Sequence, residues 1–275
     1  MTQLWQPRPL DGGLFALVRE GRPDLAPVVL LHGAGGNART WTAIAPALGE
    51  RRVLLIDMPG HGRSAAAGTW ELEPTVSRLR AALAPALEGH RAVWGGHSWG
   101  GKVAGLVAAA DPAACAGLLL FDPSPSSSVP IDPPGFVDDN WEVEMRHYAS
   151  PAEALHAARG LVQWQPWNEE VEAAVLHGLA QRSDGAWSLR PTREDLVALV
   201  TAVLHVDTSQ ALARAASVPT LLLVASQSLP WQEITNMSLY TSATCEVLDG
   251  HHWIHGCNPE GVMRCLREWL PRLAA

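Results

Sequence analysis

One short stretch of the chain has the residue types and spacing of a nucleophile site. Trp94-Gly95-Gly96-His97-Ser98-Trp99-Gly100-Gly101 contains Gly-x-Ser-x-Gly, with a β-prone apolar run before it and a helix-forming run after it. A serine between a strand and a helix must occupy a very tight, strained turn, and the flanking glycines keep side-chain bulk away from it. The helix that follows also directs its positive end toward the hydroxyl, where negative charge would develop. The sequence therefore predicts that Ser98 is an exposed nucleophile.

The elements around this serine alternate between strand and helix. Continuous apolar runs are typical of strands buried on both faces of a parallel sheet, whereas Leu14–Val18 alternates weakly and predicts an early antiparallel strand. Such alternation predicts a mostly parallel central sheet with helices on both faces and right-handed crossovers. The predicted parallel strands are 28–31, 53–56, 92–94, 117–121, 220–224 and 244–248, and the predicted helices are 38–48, 74–87, 102–110 and 259–270.

This alternation is interrupted in the middle of the chain. From Pro123 to about His205 there is no convincing buried strand, and a serine- and proline-rich stretch at 126–134 indicates a linker. Amphipathic helical patterns follow at 151–159, 168–181 and 192–204. We therefore predict a helical cap at residues 123–205, inserted into a core formed by residues 1–122 and 206–275.

Composition limits the classes of function. The chain has 275 residues, 47% hydrophobic and 17% charged, so it can bury a large core and is globular rather than disordered. Its net charge is −8 without a cluster of Lys and Arg, which argues against nucleic-acid binding. The N-terminus lacks a signal-peptide pattern and no apolar run reaches membrane length, so we expect a soluble cytoplasmic protein without a membrane partner.

Cysteine and histidine spacing gives no sign of a metal site. None of the four cysteines belongs to a Cys-x-x-Cys pair, which favours reduced buried thiols. His32, His61 and His97 lack the His-x-His and His-Glu-x-x-His spacings of metal ligands, and they are better read as residues that hold loops. We expect no metal and no cofactor. We expect the twelve tryptophans to line both the core and an apolar pocket.

Four motifs, taken together, resemble those of the α/β-hydrolase superfamily, in its capped serine esterase-like branch. They are the His32-Gly33 loop after a strand, Asp57-x-Pro-Gly-His-Gly-x-Ser64, Gly96-His-Ser-Trp-Gly-Gly101, and a histidine loop near the C-terminus. The resemblance covers the whole chain except the predicted cap. It implies the α/β-hydrolase fold and a nucleophile elbow at Ser98, but it says little about the substrate.

The resemblance implies that the base lies in the loop Asp249-Gly-His-His-Trp-Ile-His255. Members of the superfamily have Gly-His, two residues, a second His, and then a helix start of the Asn-Pro-Glu type. Counting back from Asn258 identifies His252 as the base, whereas counting forward from Gly250 identifies His251. We favour His252, because the residues that follow it fit without a gap, and we interpret His255 as structural.

The acid is where the chain departs from the superfamily pattern. Relatives place Asp in the loop after strand 220–224, but this loop has Ser228 at the corresponding place. A hydroxyl can orient an imidazole but cannot stabilise imidazolium as a carboxylate does. Some relatives place the acid after the strand that follows the elbow helix, which favours Asp122 here. Glu233, or no acid at all, stays as the alternative, while Asp57 lies in the Pro-Gly-His-Gly turn and is interpreted as structural.

The resemblance also implies an oxyanion hole, which needs two backbone N–H groups beside the developing negative charge. One belongs to Trp99, directly after the nucleophile, and the other to Ala34, directly after His32-Gly33. With Ser98, His252 and Asp122 they complete the machinery of a serine hydrolase. A small or medium apolar carboxylic ester suits a pocket rich in tryptophan, and a small-molecule substrate is the expected partner.

Other functions use the same residues. Hydrolysis of a lactone, a thioester or a C–C bond next to a ketone requires the same triad, as does a cofactor-free haloperoxidase activity. A non-catalytic ligand-binding protein on a hydrolase fold is the alternative from a different class, and the missing Asp after Val224 is the feature that favours it.

Overall fold

A computed structural model describes residues 5–228 and 243–273 of the chain and contains a central sheet of eight strands. In spatial order these are β1, β2, β4, β3, β5, β6, β9 and β10, and two further strands, β7 and β8, form a separate antiparallel pair. The bounds are β1 Gln6–Leu10, β2 Leu14–Arg19, β3 Val28–Leu31, β4 Val53–Asp57, β5 Ala92–Ser98, β6 Cys115–Pro123, β7 Leu179–Gln181, β8 Trp187–Leu189, β9 Thr220–Ala225 and β10 Thr244–Leu248.

Strand direction confirms the predicted mostly parallel sheet. β2 runs antiparallel to both β1 and β4, whereas all other neighbouring pairs in the large sheet are parallel. The carboxyl ends of the parallel strands therefore meet at one edge of the sheet, which is the usual position of a ligand site in such folds. Ser98 is the last residue of β5, and Asp122 lies next to the end of the neighbouring strand β6.

Helices cover both faces of this sheet, as the sequence predicts. Their bounds are α1 Leu72–Leu87, α2 Trp99–Ala110, α3 Pro133–Met145, α4 Pro151–Ala158, α5 Glu169–Gly178, α6 Arg193–Leu204, α7 Ser209–Leu212, α8 Ile254–Cys257 and α9 Pro259–Trp269. Along β3, Val29 and Leu31 join the core cluster that contains α1 and α2, while Val28 and Leu30 join the cluster that contains α9. This two-residue alternation explains why the strand is apolar throughout, since both of its faces are buried.

The helix predicted over residues 38–48 is wrong as a continuous element. The structure has two 3₁₀ turns instead, Ala38–Trp41 and Ala45–Leu48. Asn37 caps the first turn as expected, with its side chain accepting a hydrogen bond from the Arg39 N–H. Pro46 lies in the first turn of the second segment, where its missing N–H costs nothing, whereas inside a helix begun at residue 38 it would leave a backbone carbonyl without its hydrogen bond.

The segment between β6 and β9, residues 124–219, is called the inserted segment here. It contains the helices α3 to α7 and the β7–β8 pair. The linker predicted at 126–134 is partly wrong, because Pro133 begins α3 and Asp132 caps it by accepting a hydrogen bond from the Gly135 N–H. Proline is favoured in a first helical turn, where its missing N–H costs nothing. The pattern predicted as a helix over 168–181 likewise ends at Gly178, and its last three residues form β7.

In the described ranges no single helix is long and apolar enough to cross a membrane. Within the same ranges, α6 and the segment Ser209–Ala215 are long and apolar enough when taken together, but the two are bent by 66° relative to each other.

Candidate active site

Ser98 occupies the strained turn that the sequence predicts. Its φ and ψ are 51° and −120°, an unfavourable region for a residue with a side chain, and it is the N-cap of α2. A Cβ added at Gly96 would collide with the backbone of Gly100, and one at Gly100 would collide with the carbonyl of Leu31. The two glycines therefore let the strand and the helix approach closely enough to form the turn, which presents the hydroxyl at the carboxyl edge of the sheet.

Asp122 and His252 form a direct pair at this edge. Asp122 Oδ2 lies 2.5 Å from His252 Nδ1, and Asp122 Oδ1 accepts a hydrogen bond from the Ala225 N–H at 3.1 Å. An ionised carboxylate can only accept, so Nδ1 carries the proton and Nε2 is left to accept one. The carboxylate has no solvent exposure and its backbone has a positive φ of 45°, a conformation that Asp tolerates better than most residues.

The backbone of the His252 loop is fixed from the nucleophile side. His97, the neighbour of Ser98, lies with its Nε2 2.8 Å from the His252 carbonyl oxygen, and the two rings are 4.7 Å apart at their centroids. His251 accepts a hydrogen bond from the Trp253 N–H at its own Nδ1. The structure thus brings His252, and not His251, to the Asp122 carboxylate.

Ser124 is a neighbour of the nucleophile that the sequence reasoning missed. Its Oγ lies 3.3 Å from Ser98 Oγ, and its N–H donates to the Ser98 carbonyl at 3.0 Å. Because β5 and β6 are paired with Ser98 opposite Pro123, a polar residue just after β6 had to fall near the elbow. In the described part of the chain, the hydroxyl of Ser98 is hydrogen-bonded to Ser124 and not to the His252 ring. Catalytic hydrogen bonds are often long before substrate binds, so this geometry does not argue against His252 as the base.

Two buried histidines brace the loop that contains Ala34. His32 Nε2 accepts from the Met58 N–H at 2.9 Å, and His61 Nε2 accepts from the Gly35 N–H at 3.1 Å. Burial lowers the pKa of His32 to about 3 and that of His61 to about 4, so both rings are neutral at neutral pH. Each nitrogen is thereby committed to the backbone, and within the residues described no group of three potential ligands could hold a metal ion.

A pocket of about 640 Å³ lies at the carboxyl edge of the sheet and includes Ser98, Asp122 and His252 in its lining. Ala34 and Trp99, the two residues with the predicted oxyanion N–H groups, also line it. The inserted segment supplies most of the remaining surface. α6 contributes an aliphatic side, formed by Leu199, Val200, Val203 and Leu204. α3 and the turn after α4 contribute a side with aromatic and acidic residues, formed by Phe136, Asp139, Trp141, Glu144, Gln163 and Trp164.

A second histidine–aspartate pair joins the inserted segment to the core. His177 on α5 lies with Nε2 2.7 Å from Asp57 Oδ2, at the end of β4, and both side chains are almost completely buried. Asp57 also accepts hydrogen bonds from the Ala38 and Arg63 N–H groups. Burial by itself would raise the pKa of Asp57, but the contact with His177 and the two N–H donors outweigh it and lower the pKa below the usual value. Asp57 thus has the structural surroundings that the sequence suggests.

The other candidates for the acid have different positions. Ser228 lines the pocket, whereas the contacts of that loop with the histidine loop come from Ser226, to Gly250 and Asp249, and from the Gln227 N–H, which donates to the Gly250 carbonyl. Glu233 lies outside the described residues. Within the described residues, Asp122 is the candidate that contacts a histidine of the predicted base loop.

Comparison with known proteins agrees with the fold. Residues 28–264 match the sequence model of the Alpha/beta hydrolase family. The solved structure of E-2-(acetamidomethylene)succinate hydrolase superposes with a TM-score of 0.78 at 18% identity, covering 98% of this chain and all of the other, which supports the fold alone.

Curated relatives match over a shorter stretch. A pimeloyl-[acyl-carrier protein] methyl ester esterase from Sodalis glossinidius is 43% identical over 109 residues, 39% of this chain and 40% of the relative. Lipase LipV from Mycobacterium tuberculosis is 40% identical over 106 residues, 38% of this chain and 40% of the relative. The chain thus matches less than half the length of these relatives.

Proposed function

The chain belongs to the alpha/beta hydrolase family, and we propose that it is a serine hydrolase of small to medium apolar carboxylic esters. The observation that carries this proposal is the Asp122–His252 pair, whose imidazole lines the same pocket as Ser98. A buried carboxylate on Nδ1 leaves Nε2 to exchange protons with a nucleophile or a leaving group in that pocket.

The chemistry follows from these positions. Ser98 Oγ attacks the ester carbonyl carbon while its proton passes to His252 Nε2, and the C–O bond to the alcohol breaks as that proton is returned to the leaving oxygen. Water then attacks the acyl-enzyme, gives a proton to the same nitrogen, and releases the carboxylic acid as Ser98 regains its proton. Asp122 holds the ring in the productive tautomer and stabilises the imidazolium in both steps.

The oxyanion of each tetrahedral intermediate is assigned to the Ala34 and Trp99 N–H groups. Trp99 is the first residue of α2, so its N–H and the positive end of the helix are both directed at the nucleophile. The Ala34 loop is held on both sides, because His32 before it accepts a hydrogen bond from the Met58 N–H and Gly35 after it donates one to His61 Nε2. Removing one such donor typically costs about 3 kcal/mol of transition-state stabilisation.

The choice of ester rests on the lining and on the relatives. The aliphatic side chains of α6 suit an apolar acyl or alkyl group. Two relatives with about 40% identity over a shared stretch have names that specify an ester or lipid substrate. Thioesters, lactones and C–C bonds next to a ketone use the same machinery and belong in the same substrate panel.

The direct test compares Ser98→Ala with wild type in the turnover of p-nitrophenyl acetate and butyrate and in labelling by a fluorophosphonate probe. We expect wild type to be labelled and active, and Ser98→Ala to lose the label and at least about 10³-fold in kcat. Ser77→Ala, an exposed serine on α1, is the matched control and keeps both properties. Equal rates for wild type and Ser98→Ala, or no labelling of wild type, would contradict the proposal and favour the ligand-binding alternative.

A further inference from the structure

The α3 side of the pocket contains a carboxylate with aromatic neighbours. Trp141 and Glu144 are three residues apart on α3 and therefore share one face of the helix. Gln163 and Trp164, in the turn after α4, line the same part of the pocket. We call these four residues the acidic aromatic wall.

Glu144 is half-buried in this wall without a cationic partner. Its Oε1 accepts a hydrogen bond from the Gln163 amide at 2.7 Å. In the part of the chain that the structure describes, no Lys, Arg or His forms an ion pair with it. Burial raises the pKa of its carboxyl above the usual value, and hydrogen bonding to its neighbours offsets this only in part. A carboxylate removed from water gains free energy when a cation approaches it, because the desolvation has already occurred.

The charge of the whole lining has the same sign. The described residues that line the pocket include Asp139 and Glu144 in addition to Asp122, and they include neither Lys nor Arg. A carboxylate on the substrate would meet no Lys or Arg in this lining, whereas a cationic group would meet Glu144, which has no cationic partner among the described residues.

The aromatic rings supply the second element of cation recognition. Trp164 meets Trp253 edge to face at 4.4 Å, and Phe136 meets Trp141 edge to face at 6.1 Å. All four rings line the pocket. The faces of indole rings attract ammonium groups through their quadrupole, and the attraction is largest where water is excluded.

The acidic aromatic wall lies beside the predicted oxyanion hole. The indole nitrogen of Trp141 is so close to Gly35 that a Cβ at that position would collide with it. Gly35 follows Ala34 directly, and Glu144 is one helical turn beyond Trp141. Trp141 therefore links the Ala34 loop to Glu144, and a substrate whose carbonyl lies at Ala34 can extend past Trp141 toward the Glu144 carboxylate.

We propose that this pocket selects substrates that carry an ammonium group close to the scissile bond, with Glu144 and its neighbouring indoles as the specificity determinant. The position of the ammonium relative to the scissile bond rests on the proposed function, whereas binding of the cation does not. The aliphatic side chains of α6 remain available for the uncharged part of the same molecule.

Binding tests this without any catalytic step. Choline and its uncharged isostere 3,3-dimethylbutan-1-ol are titrated against wild type by calorimetry, with 3,3-dimethylbutyrate as an anion of related shape. We expect choline to bind about 10-fold more tightly than the alcohol, and the anion to bind most weakly. Equal affinities for choline and the alcohol, or tighter binding of the anion, would overturn the proposal whether or not the protein is an esterase.

The variants then assign the preference to one side chain. Glu144→Gln keeps the shape and should abolish the preference for choline over the alcohol. Glu142→Gln, on the same helix but exposed and paired with Arg146, is the matched control and should keep it. A preference that survives in Glu144→Gln overturns the role of Glu144. Thermal unfolding of both variants distinguishes a lost preference for choline from a loss of the fold. The comparison of choline with the alcohol in wild type tests the proposal even if Glu144→Gln does not fold.

Kinetics connects the site to the reaction. The ratio of kcat/KM for choline butyrate to that for 3,3-dimethylbutyl butyrate, measured by proton release, should be about 10 in wild type and near 1 in Glu144→Gln. A wild-type ratio of 1 with normal turnover contradicts only the ammonium proposal. Absence of turnover for both esters, with choline binding intact, contradicts only the proposed function.

Discussion

The molecule contains two histidine–aspartate pairs at the carboxyl edge of one sheet, and the first difference between them is the exposure of the imidazole. In both, the carboxylate at a strand end has no solvent exposure and lies within 2.7 Å of a ring nitrogen. The imidazole of His177 is 3% exposed, whereas that of His252 is 53% exposed. Of these two rings, that of His252 is the one accessible to a molecule in the pocket.

The nitrogen that contacts the carboxylate differs as well. His252 contacts its carboxylate through Nδ1, whereas His177 contacts Asp57 through Nε2. The backbone N–H groups of Ala38 and Arg63 occupy further acceptor positions on Asp57. The Asp57 pair therefore fastens α5 to the core, whereas the Asp122 pair holds a half-exposed imidazole in the lining of the pocket. A histidine–aspartate contact does not by itself identify a catalytic pair.

The largest effect expected from this comparison is on turnover. Asp122→Asn should lower kcat by about 10⁴-fold, because an amide favours the wrong tautomer of His252 and cannot stabilise the imidazolium. Ester hydrolysis measured at several pH values tests this, since the loss should persist across the pH range. A change of less than 10-fold would move the acid away from Asp122, and Glu233 would be the next candidate.

The second effect is on stability. Asp57→Asn or His177→Ala should reduce the free energy of unfolding by about 3 kcal/mol, because each leaves a buried partner without its counterpart. Chemical denaturation of the variants gives this value directly. The kcat of the folded fraction should fall far less than in Asp122→Asn. A loss of kcat equal to that of Asp122→Asn, at unchanged stability, would contradict the structural role of the Asp57 pair.

The smallest effect concerns acid. The pKa of Asp57 is lowered in the folded state, so its stabilising contribution is complete above the unfolded pKa of about 4 and is lost as the pH falls through the lower folded value. The difference in unfolding free energy between wild type and Asp57→Asn should therefore be constant near neutral pH and shrink below about pH 4. Denaturation series at pH 7, 5 and 3 check this. A difference that widens on acidification would show that the pKa of Asp57 is raised, and not lowered, in the folded state.

The two pairs also differ in how far the sequence predicted them. The elbow, the oxyanion loop and the histidine loop have local residue patterns, so Ser98, Ala34 and His252 could be proposed from spacing and resemblance. Asp122 is predicted as the acid because a serine occupies the usual position and because some relatives place the acid at the end of the strand equivalent to β6. The pairing of β6 with β9 makes this physically reasonable, since it lets the carboxylate contact both Ala225 and His252. Its role in catalysis stays a prediction.

No local sequence pattern predicts the contact of His177 with Asp57. His177 is separated from Asp57 by 120 residues and lies on an amphipathic helix whose pattern gives only its apolar face. The pocket was hidden for a similar reason, because the proline pair that begins α3 was interpreted as a linker. Without that helix, no sequence pattern places Trp141 and Glu144 beside the Ala34 loop.

By itself, the sequence determined the alternation of strands and helices, the mostly parallel sheet and the strained serine turn. These features depend on burial patterns and backbone sterics, which are determined by residues close together in the sequence. Only the tertiary structure decided which carboxylate meets which imidazole, which imidazole faces the pocket, and which charge lines it. Those contacts join residues more than a hundred positions apart, and their exposure depends on how the inserted segment packs over the sheet.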